Sequence, residues 1–314
     1  MLNDTLFPDG VWPVMLTPFT EDNEIDYTAL EELIEWYLDK GVHGLFAVCL
    51  SSEMLHLSLQ ERVDLAKFVV EKTKGRVPVV ASGHNSDDLQ EQITELTAIA
   101  QTGVDAVILV TSRIAGPDDD DAVWKRNLST IMERLPDVRL GLYECPIPYH
   151  RLLSPELLKW CADSGRFFFL KETSCDLEQI RQKVAAVQGT PLKIYNANGT
   201  SYLGSLQAGA HGYSGILTNF HPDLYVWIVE NWQQDQARAE RLQTLIGPLH
   251  LFEGRHYPVN AKYLLQQEGL KLTLHSRARS SEELRPVHRL EVDQFLELSQ
   301  LFRQSLITKD ESFR

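Results

Sequence analysis

One lysine in this chain ends an apolar run that contains no other charge. Lys171 follows the run FFFL at residues 167–170 and precedes Glu172. Burial of an ammonium group is costly, and a low-dielectric surrounding favours the neutral amine, a nucleophile that condenses with a ketone or aldehyde to form a Schiff base. The pattern predicts either such a reactive amine or a structural charge that pairs with Glu172 or faces outward.

Two other strand-like runs also end in polar residues. Tyr143 stands in LYECP, where a phenol could relay a proton to the carbinolamine oxygen of a Schiff-base reaction. The structural alternative is a buried tyrosine bonded to a backbone carbonyl. Ser51 and Ser52 stand in CLSSE, where hydroxyls and exposed backbone N–H groups could bind a carboxylate. Turn formation and helix capping explain these serines equally well.

Eight apolar, β-rich runs alternate with longer amphipathic segments along the chain. The strand-like runs begin at residues 11, 43, 78, 105, 139, 166, 192 and 211, and helix-like segments include residues 26–40, 58–74, 86–102 and 154–163. Most of these runs are apolar on both faces, as is typical of a parallel sheet covered by helices. Eight such units over roughly 230 residues favour an α/β fold of the closed (β/α)8 TIM-barrel type over an open doubly wound sheet.

The strand signal stops near Ala237, and the remainder of the chain has a helical pattern. We therefore expect residues 1–236 to form the barrel with the active site and residues 237–314 to form an appended C-terminal helical segment. The active site of such a barrel lies at the C-terminal ends of its strands. Lys171, Tyr143 and the two serines should therefore surround one opening.

Composition and charge restrict the class of protein and its partners. The chain has 314 residues and a net charge of −14, which argues against nucleic-acid and anionic-membrane partners. Its ten histidines form no HExxH pattern, so no metal site is predicted. Its four cysteines form no CxxC pair, no signal-peptide pattern opens the sequence, and no apolar stretch is long enough to span a bilayer. A cytoplasmic location is expected.

Five motifs occur in a recognisable order along the chain. They are GVWPVMLTPF, CLSSE, LYECP, FLKETS and AHGYSGIL. With these motifs, from about residue 10 to residue 222, the chain resembles the dihydrodipicolinate synthase/N-acetylneuraminate lyase family of pyruvate-dependent aldolases. The resemblance implies a homodimeric or homotetrameric barrel and class I aldolase chemistry without a metal or an organic cofactor.

The resemblance also implies roles for single residues. Lys171 matches the Schiff-base lysine of the family, and Tyr143 matches the tyrosine that shuttles protons. Ser51 falls on the second hydroxyl residue of the family's carboxylate-binding turn, and Glu53 falls on the glutamate of that turn. Ser214 falls near the eighth-strand position whose backbone contacts pyruvate.

Several positions depart from the family pattern. Leu50 occupies the first hydroxyl position of the turn, and Ser52 replaces its second glycine. The stretch VTSRIAG after the fourth strand lacks the tyrosine that completes the proton relay of the synthases. In YECPIPYHR, Pro148 stands where the synthases have the arginine that binds the carboxylate of the semialdehyde, and Arg151 lies further along. These departures disfavour true dihydrodipicolinate synthase activity.

The residues and the resemblance together predict a Schiff-base-forming lyase or aldolase. Its substrates would be pyruvate or a related 2-oxo acid and an aldehyde or sugar acid, and the same imine could instead promote dehydration of a sugar acid. The alternative is a catalytically impaired member of the family that binds a 2-oxo acid or a sugar acid. Selection of the second substrate is expected to depend on loop residues such as Ile114, Glu144, Asn196 and Asn198.

Overall fold

Eight parallel strands form the centre of the molecule. The computed structural model describes residues 7–308, and its strands are β1 (Gly10–Val11), β2 (Leu45–Phe46), β3 (Val79–Ala81), β4 (Ala106–Val110), β5 (Leu140–Tyr143), β6 (Phe167–Glu172), β7 (Lys193–Asn196) and β8 (Gly212–Tyr213). They pair in the order β1-β8-β7-β6-β5-β4-β3-β2. A parallel bridge between Val14 and Phe46 joins the two ends of this sheet. The predicted TIM barrel is confirmed.

Helices follow the strands and cover the barrel. In the described part of the chain they are α1 (Tyr27–Asp39), α2 (Leu59–Thr73), α3 (Leu89–Ala100), α4 (Asp121–Arg134), α5 (Pro155–Asp163), α6 (Leu177–Val187), α7 (Tyr202–Gln207), α8 (Pro222–Asn231), α9 (Gln236–Ile246), α10 (His250–Glu253), α11 (Val259–Gln267) and α12 (Pro286–Thr308). None of these helices is both long enough and apolar enough to cross a membrane.

Local capping explains where several of these helices begin. The Asp26 side chain accepts hydrogen bonds from two backbone N–H groups at the start of α1, and Ser58 and Glu61 form the predicted capping box of α2. Helix α3 begins later than predicted, because Asp88 rather than Ser86 caps it.

The alternation of side chains along β6 decides which of its residues face the barrel interior. The ring of Phe169 packs against those of Trp12 and Tyr195 inside the barrel. Lys171 lies two residues further along and therefore on the same face. Glu172 points the other way, toward Lys183 of α6. Lys171 consequently projects into the barrel, whereas the Glu172 carboxylate pairs with Lys183.

The described chain after α8 contains helices α9 to α12, with an irregular segment between α11 and α12, and it returns to the barrel. Lys262 of α11 forms an ion pair with Glu53 in the turn after β2, and Arg303 of α12 binds Asp223 of α8 and Glu268. Helix α9 begins at the predicted boundary. The division into residues 1–236 and 237–314 stays a prediction, and residues 1–6 and 309–314 lie outside the described part of the chain.

Candidate active site

A cavity of about 480 Å³ opens at the C-terminal ends of the strands. It is lined by Leu50, Ser51, Glu53, Leu55, His56, Tyr143, Pro146, Ile147, His150, Lys171, Thr173, Ala197, Gly215, Ile216, Tyr257, Pro258 and Ala278. The lining thus brings together Lys171, Tyr143 and Ser51, which come from three separate parts of the sequence. Its size is in the range of cavities that hold a small-molecule ligand.

Lys171 lies near the end of β6 and is almost completely buried, with 5% of its surface exposed. The parallel register places it beside Tyr143 of β5 on one side and Tyr195 of β7 on the other. Its Nζ atom lies 4.5 Å from the centroid of the Tyr143 ring. Lys171 lines the cavity, so a ligand bound there would lie next to this amine.

Tyr143 is the last residue of β5, and its ring packs edge-on against Phe46. Burial raises the pKa of its phenol well above the usual value, and the neighbouring Cys145, Cys49 and Tyr257 raise it further. The hydroxyl is therefore protonated at neutral pH. In that state it can donate a proton to an oxygen atom that develops negative charge.

A buried ion-pair cluster lies behind Lys171 and Tyr143, on the outer face of the barrel. Lys183 of α6 donates to both carboxylate oxygens of Glu144, at 2.7 and 2.9 Å, and to Glu172 at 2.8 Å. Glu144 and Glu172 directly follow Tyr143 and Lys171 in the sequence. The cluster therefore connects the ends of β5 and β6 that carry Tyr143 and Lys171.

The two serines of CLSSE have different surroundings. Ser51 lines the cavity. The Ser52 hydroxyl accepts from the Cys49 N–H at 2.6 Å and donates to the Cys49 carbonyl at 3.0 Å. The Ser52 side chain thus closes the turn after β2, which agrees with turn formation, the alternative to carboxylate binding. It does not line the cavity.

Ser214 follows β8, and its hydroxyl is fully buried away from the cavity. It donates to the Trp12 carbonyl at 2.9 Å and so connects β8 with β1. The next residue, Gly215, does line the cavity. Any contact of Ser214 with a ligand would involve its backbone, as the resemblance implied, and this role stays a prediction.

The four residues expected to select the second substrate do not line this cavity. Ile114 lines a different cavity, and Glu144 binds Lys183. Asn196 donates to Ser201, and Asn198 contacts His250. A direct contact of these four side chains with a ligand in this cavity is therefore not supported, and their part in selecting the second substrate stays a prediction.

Tyr257 is a phenol in this cavity that the sequence analysis did not identify. It precedes α11, lines the cavity and accepts a hydrogen bond from Asn219 Nδ2 at 2.9 Å. It also lies close enough to raise the pKa of Tyr143. No strand-end signal could identify it, because it belongs to the chain that returns after the barrel is complete.

A family model described as the dihydrodipicolinate synthetase family matches residues 8–302. The chain belongs to this family. It is 28% identical over 265 residues to the 4-hydroxy-tetrahydrodipicolinate synthase of Bacillus subtilis, and the match covers 83% of this chain and 89% of that protein.

Solved structures of the dihydrodipicolinate synthase type share this fold. One is YagE, a prophage protein of the family from Escherichia coli K12 in complex with pyruvate, with a TM-score of 0.84, 22% identity and coverage of 93% of this chain and 99% of that chain. Another is the chloride-inhibited synthase from Acinetobacter baumannii with pyruvate, with a TM-score of 0.83, 21% identity and coverage of 94% and 99%. In residues 7–308, no group of three or more His, Cys, Asp or Glu side chains could hold a metal ion.

Proposed function

We propose that this chain is a Schiff-base-forming lyase or aldolase that acts on pyruvate or a related 2-oxo acid. The observation that carries the proposal is the buried Lys171, whose Nζ lies in the cavity 4.5 Å from the centroid of the Tyr143 ring. Membership of the family supports it, and so do the pyruvate complexes of the proteins from E. coli and A. baumannii.

The reaction begins at the amine. The neutral Lys171 Nζ adds to the C2 carbonyl of the 2-oxo acid, and Tyr143 donates a proton to the carbinolamine oxygen, which leaves as water. The Ser51 hydroxyl and N–H groups of its turn bind the carboxylate. The resulting protonated imine withdraws electrons, so C3 loses a proton and becomes an enamine carbon. That carbon attacks an aldehyde to form a C3–C4 bond, and the reverse sequence cleaves such a bond.

The same imine would promote loss of water from a sugar acid, so the dehydratase reaction shares its first steps. Binding without turnover is the other alternative. The predicted homodimer or homotetramer and the cytoplasmic location also stay predictions for this chain.

Borohydride trapping tests the proposal. Incubation with pyruvate followed by reduction should attach the reduced pyruvyl group to Lys171, and the adduct should be located by digestion and mass spectrometry. Lys171→Met should abolish the adduct, whereas Lys67→Met should not, because Lys67 is an exposed residue paired with Glu71 on α2.

A second measurement separates chemistry from binding. In D2O, an enamine-forming enzyme exchanges the methyl protons of pyruvate for deuterium, which proton NMR detects. An adduct on Lys171 without exchange or turnover would favour the binding role. The absence of an adduct with pyruvate and with a panel of 2-oxo acids would contradict the Schiff-base function altogether.

A further inference from the structure

The walls of the cavity above Lys171 are mostly apolar. Apolar side chains come from the turn after β2, from the loop after β5, from the segment after β8 and from the start of α11: Leu50, Leu55, Pro146, Ile147, Ile216 and Pro258. Ile147 is 42% exposed at the mouth, although a large apolar side chain is stabilised by burial. A bound molecule with an apolar body would cover this surface.

The lining of the cavity has no arginine and only one lysine among the described residues, and its remaining side chains that can be cationic are His56 and His150. The one lysine is Lys171, the amine that forms the imine with the 2-oxo acid, so it is not available to pair with a second carboxylate. The Arg151 guanidinium binds Asp121 and loop carbonyls. The Arg277 guanidinium binds Glu61 and backbone carbonyls and packs on the ring of Phe19.

One carboxylate already belongs to the wall. Glu53 lines the cavity, and it is held by Lys262 and by the backbone N–H groups of Arg277 and Ala278. The charge of Glu53 is thereby already balanced. A second substrate with its own carboxylate would lose water on entering and would find no arginine and no second lysine in the described lining to pair with it.

Two polar side chains of the wall already form hydrogen bonds within the protein. Thr173 donates to the Glu144 carbonyl and contacts His150, and Tyr257 accepts from Asn219. A polyhydroxylated aldehyde needs a partner for each hydroxyl that it buries. The wall supplies few such partners beyond those that the 2-oxo acid uses.

We infer that the second substrate is an uncharged aldehyde with an apolar body, such as an aryl or branched alkyl group. The inference rests on the proposed aldolase function. The step balances without a redox agent: enamine C3 bonds to the aldehyde carbon, the carbonyl oxygen takes a proton and becomes a hydroxyl, and water hydrolyses the imine to release a 4-hydroxy-2-oxo acid. In the cleavage direction the same aldehyde is the leaving product.

A panel of aldehydes tests this inference. The wild-type protein is incubated with pyruvate and with benzaldehyde, isobutyraldehyde, D-glyceraldehyde or succinic semialdehyde, and formation of the 4-hydroxy-2-oxo acid is followed by NMR. We expect kcat/KM at least about tenfold higher for the two apolar aldehydes than for the hydroxylated or carboxylated one. Equal or greater activity with glyceraldehyde or succinic semialdehyde overturns the inference, as does inactivity with both apolar aldehydes.

A charge introduced at the mouth provides a matched test. Ile147→Arg supplies the missing cation and should shift the ratio of kcat/KM toward succinic semialdehyde by about tenfold or more relative to benzaldehyde. Ile147→Gln adds polarity without charge and should produce less than a third of that shift. An unchanged ratio in Ile147→Arg would show that this wall does not select the aldehyde.

Borohydride trapping with pyruvate alone keeps the two proposals apart. Failure to form the Lys171 adduct contradicts the Schiff-base function itself. An adduct together with the wrong aldehyde preference contradicts only the substrate class.

Discussion

Lys171 is a candidate nucleophile because β6 directs its side chain into the barrel. Phe169 and Lys171 share the inner face of β6, whereas Glu172 faces α6 and is held by Lys183. The Lys171 Nζ lies 4.5 Å from the centroid of the Tyr143 ring. In the proposed reaction these two groups on adjacent strands are the nucleophile and the proton donor.

Two tyrosines of the cavity should differ in their effect on imine formation. Tyr143→Phe removes the phenol beside Lys171 and should slow formation of the pyruvate adduct by about 100-fold or more, in the range of general acid catalysis. Tyr257→Phe should slow it by less than about tenfold. Asn219 Nδ2 retains the Val14 carbonyl as an acceptor in that variant, so the fold should be kept.

The measurements are the rate of borohydride-trappable adduct and the rate of methyl deuteration of pyruvate. Phenylalanine keeps the ring in both variants, so each serves as the structural control for the other. A larger loss in Tyr257→Phe than in Tyr143→Phe would mean that the phenol after the barrel, and not the one on β5, is the main proton donor.

At the scale of elements, the ends of β5 and β6 are held in register by one buried cation. Burial raises the pKa of Glu144, Lys183 lowers it, and the nearby Glu172 raises it again. Two carboxylates and one ammonium are almost completely inaccessible here. Lys183 is thus the cation that pairs with both glutamates behind Lys171 and Tyr143.

Lys183→Met should destabilise the protein in a pH-dependent way. Loss of the cation leaves two buried carboxylates, so the folded-state pKa of Glu144 rises further above its unfolded value. A group of this kind keeps its stability contribution below the unfolded pKa, near 4.3, and loses it as pH rises through the folded-state pKa. We expect a loss of about 3–5 kcal/mol at pH 8 and a clearly smaller loss at pH 4.

Urea unfolding at both pH values measures this difference. Lys159→Met on α5 is the control, because Lys159 pairs with Asp163 at the surface and should change stability by less than about 0.5 kcal/mol at either pH. A pH-independent loss in Lys183→Met would indicate a packing defect rather than repulsion between carboxylates.

At the scale of the whole molecule, the C-terminal helices close one side of the opening. Lys262 of α11 is buried against Glu53, and burial lowers the pKa of its ammonium while Glu53 raises it. Glu53 also accepts hydrogen bonds from Ser276 and Ala278. This contact joins the turn after β2 to a segment more than two hundred residues away in the chain.

Substitution of Glu53 and substitution of Lys262 should lower the free energy of unfolding by different amounts. Glu53→Ala leaves the buried Lys262 with the His275 carbonyl as its polar contact and should cost about 3–5 kcal/mol. Lys262→Met should cost less, because the Glu53 carboxylate keeps its backbone donors. The midpoint and slope of urea unfolding give the free energy of unfolding of each variant. A greater loss of stability in Lys262→Met than in Glu53→Ala would contradict this explanation of how the C-terminal segment is held against the turn after β2.

Much of the fold and part of the site follow from local sequence patterns. The apolar runs, their spacing and caps such as Asp26 and Ser58 predict the strands and helices, since these signals act within a few residues. Lys171 and Tyr143 could be found because a barrel places all strand ends on one side. Lys171 and Tyr143 were expected to be neighbours because β5 and β6 are consecutive strands.

The tertiary structure alone decided which residues cover the opening. Tyr257, Glu53 with Lys262, and the apolar wall that includes Ile147 depend on how the chain folds back over the barrel. The Ser52 hydroxyl forms hydrogen bonds within its own turn, whereas Ser51 lines the cavity. No local pattern encodes these contacts, because their free energy arises only when segments distant in sequence are packed together and water is excluded between them.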